Sequence, residues 1–133
     1  MKEVIEMLTE PGFGSLATIE EGRPRVRPFA FMFEENGRFY FCTSRTKDVY
    51  RQLLAKPLVE YTKATEDMRW LRIGGEIRFD EDISRKERCF LTTPMLKDIY
   101  QTPENPDFKI FYLEHGNASI DSFAPERRKT FEF

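Results

Sequence analysis

Two arginines and a phenylalanine occupy alternate positions along residues 25–29. If this segment is a β-strand, Arg25, Arg27 and Phe29 project from the same face, because side chains alternate sides with a period of two. Two guanidinium groups beside an aromatic ring can bind a planar anionic ligand through bidentate hydrogen bonds and stacking. The pattern therefore predicts a site for such a ligand on this strand.

A second group of polar residues lies where a predicted strand is followed by a predicted helix. Thr43 ends the strand, Ser44 follows it, and Lys47 begins the helix. Backbone N–H groups at a helix start, two hydroxyls and an ammonium group suit a phosphate. The dipeptide Asn36-Gly37 tolerates the positive φ of a type I′ turn and predicts a hairpin between the two strands. We therefore expect the arginines and this candidate phosphate site to lie close together.

Each of these residues also has a structural explanation. Thr43 or Ser44 could serve only as a helix N-cap, which contributes about 1 kcal/mol. Lys47 could be a solvated helix residue, and paired arginines can simply keep a strand edge in water. Spacing alone does not decide between these alternatives.

Other kinds of catalytic or metal site have little support in the sequence. The single histidine, His115, precludes a His-rich metal site, and we expect it on the surface or in a turn. Cys42 and Cys89 lie in no CxxC motif, so both are expected to be reduced, and Cys42 to be buried. The motifs GxSxG, GxGxxG and GxxxxGKS/T are absent. No residue is assigned as a catalytic acid or base.

The composition indicates one compact domain. The chain has 133 residues, a mass of 15.8 kDa, a formal charge of −2 and a pI of about 5.6. Aromatic residues make up 14% of the chain although its mean hydropathy is −0.57, which favours alternating strands with one apolar face. No apolar run is long enough to span a bilayer, and the acidic start is unlike a signal peptide. We predict a single domain over residues 1–133, soluble and cytoplasmic, with no membrane partner.

Hydrophobic periodicity and turn residues predict a mainly β chain with a few short helices. The predicted helices are residues 2–9, 47–56, 84–91 and 95–100. The predicted strands are residues 13–19, 25–33, 38–43, 58–64, 70–79, 108–113 and 118–123. Many antiparallel strands with few helices indicate a β-barrel or sandwich with flanking helices rather than a doubly wound parallel sheet.

Several segments resemble, in order and spacing, the motifs of a known family. They are PGFGSLAT at 11–18, GRPRVRPF at 22–29, FYFCTS at 39–44 with Lys47, WLRIGGE at 70–76, IDSF at 120–123 and TFEF at 130–133. On these segments the chain resembles the pyridoxamine 5′-phosphate oxidase-like family of FMN-binding split-barrel proteins. It resembles in particular the short, single-domain branch of general-stress and nitroimidazole-reductase-like proteins.

The resemblance implies a six-stranded antiparallel Greek-key split barrel that forms a homodimer. One FMN would bind at each of two interface sites. By position in the motifs, Thr43, Ser44 and Lys47 would hold the phosphate of the FMN, and Arg25 would add support.

The resemblance also implies which residues contact the rest of the flavin. Arg27 and Phe29 would line the ring and the ribityl chain, and Trp70 and Arg72 would approach from the other subunit. The implied activity is that of an oxidoreductase acting on a small molecule, with NAD(P)H as a candidate electron donor. The tail lacks the basic-aromatic pair with which the true oxidase binds pyridoxal phosphate, so pyridoxamine phosphate is not the expected substrate.

Three alternatives remain open at this stage. The protein could bind flavin without turnover, as a flavin store or redox sensor. Some relatives bind haem or a deazaflavin, although one histidine gives poor axial ligation of haem. The aromatic and arginine strand could instead stack single-stranded nucleic acid, but the acidic pI counts against that reading, and we expect no nucleic-acid partner.

Overall fold

The computed structural model describes all residues from Met1 to Phe133. Four α-helices, nine β-strands and one 3₁₀ turn make up the chain. In order they are α1 (Lys2–Thr9), β1 (Gly14–Glu20), β2 (Arg23–Phe29), β3 (Phe31–Glu35), β4 (Arg38–Ser44), α2 (Asp48–Ala55), β5 (Leu58–Ala64), β6 (Trp70–Asp80), α3 (Ile83–Thr92), α4 (Leu96–Tyr100), β7 (Phe108–Leu113), β8 (Asn117–Asp121), the 3₁₀ turn (Pro125–Arg127) and β9 (Lys129–Glu132). None of the helices is long and apolar enough to cross a membrane.

The strands form an antiparallel barrel. Their hydrogen-bonded order is β2-β1-β5-β6-β7-β4-β3, and β8 with β9 forms a hairpin attached to β6. Strands β2 and β3 stand at the two ends of this path and are joined through Ala30, so the path returns on itself. Counted as one bent strand, they complete a six-stranded barrel. The predicted mainly β fold with flanking helices is confirmed.

The long strand β6 is the point at which the sheet divides. Along one edge it pairs with β5, whereas along the other its first five residues pair with β8 and its last four with β7. The segment between β7 and β8 passes very close to the dividing point. A Cβ on Gly116 would lie 2.1 Å from the carbonyl oxygen of Gly74, so only glycine fits at Gly116 without a backbone shift.

Most aromatic side chains fill two cores. The first occupies the barrel interior, where the ring of Phe41 lies 5.6 Å from that of Phe111 and 5.0 Å from that of Tyr61. The second lies between the outer side of β3, β4 and β7 and the helices α3 and α4, and it includes Tyr40 and Phe108. Burial of each such side chain stabilises the fold by roughly 1.5–3 kcal/mol. The aromatic-rich composition therefore serves mainly for packing.

Helix α1, strand β5 and strand β7 begin and end at the residues that the pattern predicts. The hairpin prediction is also confirmed, because Asn36 and Gly37 have φ values of 51° and 81° between β3 and β4. Strand β9 was not predicted. It is short and mostly exposed, and therefore carries no periodic apolar signal.

Two local predictions are wrong. Residues 25–33 are not one strand, since the strand ends at Phe29 and a register shift follows between Phe31 and Phe33. This irregularity lets Phe31 pack on the barrel core and Phe33 on the second core, which strict alternation would not allow. Helix α2 begins at Asp48 with no side-chain cap, because the Ser44 hydroxyl instead lies 2.8 Å from that of Thr46.

Candidate functional site

A cavity of about 500 Å³ lies between strand β2 and the start of helix α2, and we call it the β2–α2 cavity. Four residues predicted from the sequence line it, namely Arg25, Arg27, Phe29 and Lys47. The remaining lining residues are Glu20, Val26, Pro28, Asp48, Val49 and Gln52. The expected proximity of the arginine strand to the helix start is therefore seen in the structure.

Arg27 is a cation of this cavity without a carboxylate partner, as is Lys47. Its half-buried guanidinium donates from Nη1 to Thr18 Oγ1 (2.7 Å) and from Nη2 to Gln52 Oε1 (2.6 Å), and both acceptors are neutral. Burial lowers the pKa of Arg27, while the more distant charges of Asp48 and Glu20 raise it. Because no acid lies within ion-pair distance, an anionic ligand would find this charge available.

Arg25, unlike Arg27, forms an ion pair with a carboxylate. Its Nε lies 3.2 Å from Glu20 Oε1, and the other oxygen of the same carboxylate is 2.5 Å from Arg51 Nη1. The hydrogen bond from Arg51, assisted by Arg25, lowers the pKa of Glu20. A ligand that recruits Arg25 must compete with this ion pair, so the structure supports Arg25 less strongly than Arg27.

The start of helix α2 forms one end of the cavity. Lys47 is the N-cap residue, and no side chain caps the helix. The first backbone N–H groups of a helix have no partner within it, and they attract anions. Asp48 acts against this attraction, but its side chain is largely exposed and lies 3.3 Å from Arg51.

Thr43 and Ser44 do not line the β2–α2 cavity. The Thr43 side chain is 3% exposed and points with Phe41 towards the first core, whereas Ser44 lies on the opposite side of β4. Thr43 Oγ1 is the one buried side-chain nitrogen or oxygen atom of the chain that has no hydrogen-bond partner. A buried hydroxyl without a hydrogen-bond partner destabilises a fold by about 1–3 kcal/mol. A hydrogen bond from a ligand or a solvent molecule would offset this cost.

Trp70 and Arg72 lie on another part of the surface. Arg72 lines a separate cavity of about 440 Å³ formed by β5, β6, β8 and β9, and its Nη1 lies 3.6 Å from Asp121. The Trp70 ring meets the ring of Phe123 edge-on at 5.2 Å. Neither residue lines the cavity that contains Arg27 and Lys47.

Sequence reasoning missed Thr18 and Gln52, which hold the Arg27 guanidinium. Both are almost fully buried, and Thr18 Oγ1 donates to Gln52 Oε1 at 2.5 Å. The available signal was a polar residue in an apolar pattern. Gln52 occupies the buried face of α2 with Val49 and Leu53, and Thr18 follows Leu16 on the inward side of β1.

The remaining candidate nucleophiles and ligands lie outside this cavity. Burial raises the pKa of the Cys42 thiol to about 12 and also raises that of Cys89, so neither is a ready thiolate at neutral pH. His115 is exposed between β7 and β8. No three His, Cys, Asp or Glu side chains are grouped so that they could hold a metal ion.

Comparison with known proteins identifies structures similar to this chain. The chain is 34% identical to a NimC/NimA family protein from Clostridium acetobutylicum, with a TM-score of 0.90 over 100% of this chain and 92% of that one. An FMN-binding, pyridoxamine 5′-phosphate oxidase-related protein from Nostoc punctiforme is 15% identical, with a TM-score of 0.63 over 91% and 87% of the two chains. A haem-binding protein from Mycobacterium smegmatis is 16% identical, with a TM-score of 0.79 over 98% of this chain and 56% of that one.

The last two similarities concern the fold alone, given their low identities. No curated protein matches the chain. The family profile described as "Pyridoxamine 5'-phosphate oxidase" matches residues 1–117. Together with the barrel and the full-length similarity to the NimC/NimA protein, this match shows that the chain belongs to the pyridoxamine 5′-phosphate oxidase family.

Proposed function

We propose that the protein binds FMN in the β2–α2 cavity and works as an oxidoreductase on a small molecule. The observation that carries this proposal is the half-buried guanidinium of Arg27, which faces a cavity next to a helix start without a carboxylate partner. The FMN-binding protein with the same fold supports the choice of cofactor. When bound, FMN would supply the transfer of a hydride or of single electrons.

The phosphate of FMN would bind at the end of the cavity near the start of α2. Lys47 and the first amides of the helix supply positive charge and N–H donors there. Thr43 does not line the cavity, but the resemblance assigns its hydroxyl, four residues before Lys47, to the phosphate as well. Each charge-assisted hydrogen bond of this type contributes roughly 1.5–3 kcal/mol.

The rest of the flavin would extend towards Arg27 and Phe29. The ring system accumulates negative charge on reduction, and a fixed guanidinium nearby stabilises that charge. The Phe29 ring, 6.1 Å from that of Phe41, offers an apolar edge at the same wall. In this arrangement the protein binds and orients the cofactor and sets its charge environment.

A second copy of the chain is the proposed partner. Strands β2 and β5 expose two apolar side chains: Val26 (66%), which lines the β2–α2 cavity, and Leu58 (41%), which lines a separate cavity of about 350 Å³. Exposed apolar surface of this kind is typical of an interface. A homodimer would also give Trp70 and Arg72 a site to reach, namely the cavity of the other subunit.

The alternatives have less support. Haem needs an axial ligand, and the single histidine lies outside the β2–α2 cavity. Phe31 and Phe33 pack into the cores and are not free to stack on nucleic-acid bases. A flavin store or redox sensor would use the same cavity, and measurements of turnover with NADH and NADPH separate it from an enzyme.

Mass spectrometry of the small molecule that copurifies, followed by FMN titration of the stripped protein, tests the proposal. Arg27→Ala with Lys47→Ala should weaken FMN binding at least hundredfold, since each change removes a charge-assisted contact. Arg78→Ala with Lys56→Ala removes two exposed cations elsewhere and should leave the affinity unchanged. Equal FMN affinity in the two double variants, or a wild-type protein that ignores FMN, would defeat the proposal.

A further inference from the structure

A buried hydrogen-bond cluster joins helix α2 to strands β1 and β2 at the wall of the β2–α2 cavity. The Thr18 hydroxyl donates its proton to Gln52 Oε1, and Arg27 donates to both residues from its two Nη atoms. Arg27 Nη1 also lies 3.3 Å from the carbonyl oxygens of Leu16 and of Arg25. The guanidinium is thus fixed by four neutral acceptors, which lie on β1, β2 and α2.

We propose that Gln52 and Thr18 are positioning residues that aim Arg27 at a ligand in the cavity. This inference rests on the function proposed above. Gln52 Oε1 accepts from both neighbours, and the Thr18 oxygen accepts from Arg27 with a lone pair while its hydroxyl proton goes to Gln52. The directions of the bonds are therefore mutually consistent and leave Arg27 one orientation.

The neutrality of the acceptors is the functional part of this arrangement. A carboxylate at the position of Gln52 would hold the guanidinium just as firmly but would also pair with its charge. Glutamine fixes the direction of Arg27 while leaving the charge for a ligand. If Arg27 served only to attach α2 to the barrel, glutamate at position 52 would hold it equally well or better.

The cluster also connects the two ends of the proposed binding site. Gln52 lies on α2 about one turn after the helix start, where Lys47 is the N-cap. A rigid helical turn therefore relates the phosphate end of the cavity to the guanidinium. Displacement of α2 would move both groups together.

Two substitutions of Gln52 separate positioning from a merely structural role. Gln52→Glu keeps the hydrogen bonds and adds an ion pair, so the ligand-free protein should be at least as stable as wild type. Its FMN affinity should nevertheless fall about tenfold or more, and the midpoint potential of bound FMN should become more negative. Gln52→Met, which keeps the shape and removes the acceptor, should weaken FMN binding to a similar extent. Gln101→Met, at an exposed glutamine, is the matched control.

A double-mutant cycle gives the deciding result. If Gln52 acts through Arg27, Gln52→Met should change FMN affinity less than twofold in an Arg27→Ala background. If the losses of FMN affinity from Gln52→Met and Arg27→Ala multiply in the double variant, the inference is wrong. It is also wrong if both Gln52 variants keep the wild-type affinity and midpoint potential while Arg27→Ala loses FMN. That second result would leave the proposed function intact.

A measurement without flavin keeps the inference testable if the proposed function fails. In the ligand-free protein the Arg27 guanidinium protons should exchange slowly with water by NMR and should exchange faster in Gln52→Met. Thr18→Ser keeps the hydroxyl and should retain slow exchange, whereas Thr18→Val should not. Unchanged exchange in both Gln52→Met and Thr18→Val would show that the cluster does not hold Arg27.

Discussion

Replacing Thr43 by valine is expected to make the ligand-free protein more stable. The Thr43 hydroxyl is buried and has no partner, and valine has nearly the same shape without the polar atom. Removal of an unmet buried hydroxyl should stabilise the fold by about 1–2 kcal/mol. For a chain of this size, that gain corresponds to a rise in Tm of roughly 3–10 °C.

The same substitution should weaken FMN binding. If the hydroxyl donates to the phosphate, its loss removes a hydrogen bond to a charged group, and the dissociation constant should rise about tenfold or more. Stability and affinity therefore change in opposite directions. A threonine kept only for packing would not produce that combination.

Thr18→Val is the matched control for the effect on stability. Thr18 is as buried as Thr43 and also lies on a strand of the barrel, but its hydroxyl donates to Gln52 and accepts from Arg27. Its removal leaves buried partners unmet and should destabilise the protein by about 1–3 kcal/mol. The same chemical change is thus expected to have opposite signs at the two positions.

Thermal unfolding followed by circular dichroism, without flavin and at neutral pH, measures the first effect, and titration of flavin fluorescence measures the second. A Thr43→Val protein that melts below wild type would show that the hydroxyl is not unmet in the ligand-free state. A higher Tm with unchanged FMN affinity would remove Thr43 from the phosphate site.

Two further predictions concern the fold. Burial raises the pKa of Tyr40 and of Tyr100 to about 12, above the value near 10 of an unfolded chain. Stability from these groups is therefore complete below pH 10 and is lost as the pH rises through 12, by about 2 kcal/mol for each tyrosine. Urea unfolding between pH 9 and 12 measures this loss. The prediction is contradicted if a Tyr40→Phe, Tyr100→Phe double variant loses as much stability over this pH range as wild type does. Gly116→Ala should destabilise the protein by about 2 kcal/mol or more, because its Cβ would meet the carbonyl oxygen of Gly74. Gly37→Ala, in open space at a φ of 81°, should have the smaller effect in the same urea assay, and the reverse order would disprove the close-packing explanation.

The sequence predicts those parts of the fold that depend on local signals. Alternation predicts β5 and β7 to the residue, and Asn36-Gly37 marks its hairpin, because both signals act over a few residues. The break at Ala30 has no such signal. It arises because the barrel must close, so that one strand supplies Phe31 to the first core and Phe33 to the second.

Local sequence signals likewise account for only part of the candidate site. Arg27, Phe29 and Lys47 line one cavity, but the hairpin does not bring them there, because it joins β3 to β4, whereas β2 pairs with β1, on which α2 packs. Register and partners are tertiary properties, and the sequence could not show that Glu20 engages Arg25. The opposite sides of β4 on which Thr43 and Ser44 lie follow from strand alternation once the strand extends to Ser44.

The features that favour a ligand are also those that destabilise the protein without one. A half-buried guanidinium without a carboxylate and a buried hydroxyl without a partner both reduce the free energy of unfolding. A ligand that pairs with Arg27 in the proposed site would bind only the folded state and recover part of that free energy, and its contribution to stability would grow as RT ln(1 + [L]/Kd). Because the rest of the barrel is closely packed with aromatic side chains, it can tolerate both features. The charge of Arg27 therefore supports the site proposed in the β2–α2 cavity, and Thr43→Val tests whether the Thr43 hydroxyl belongs to it.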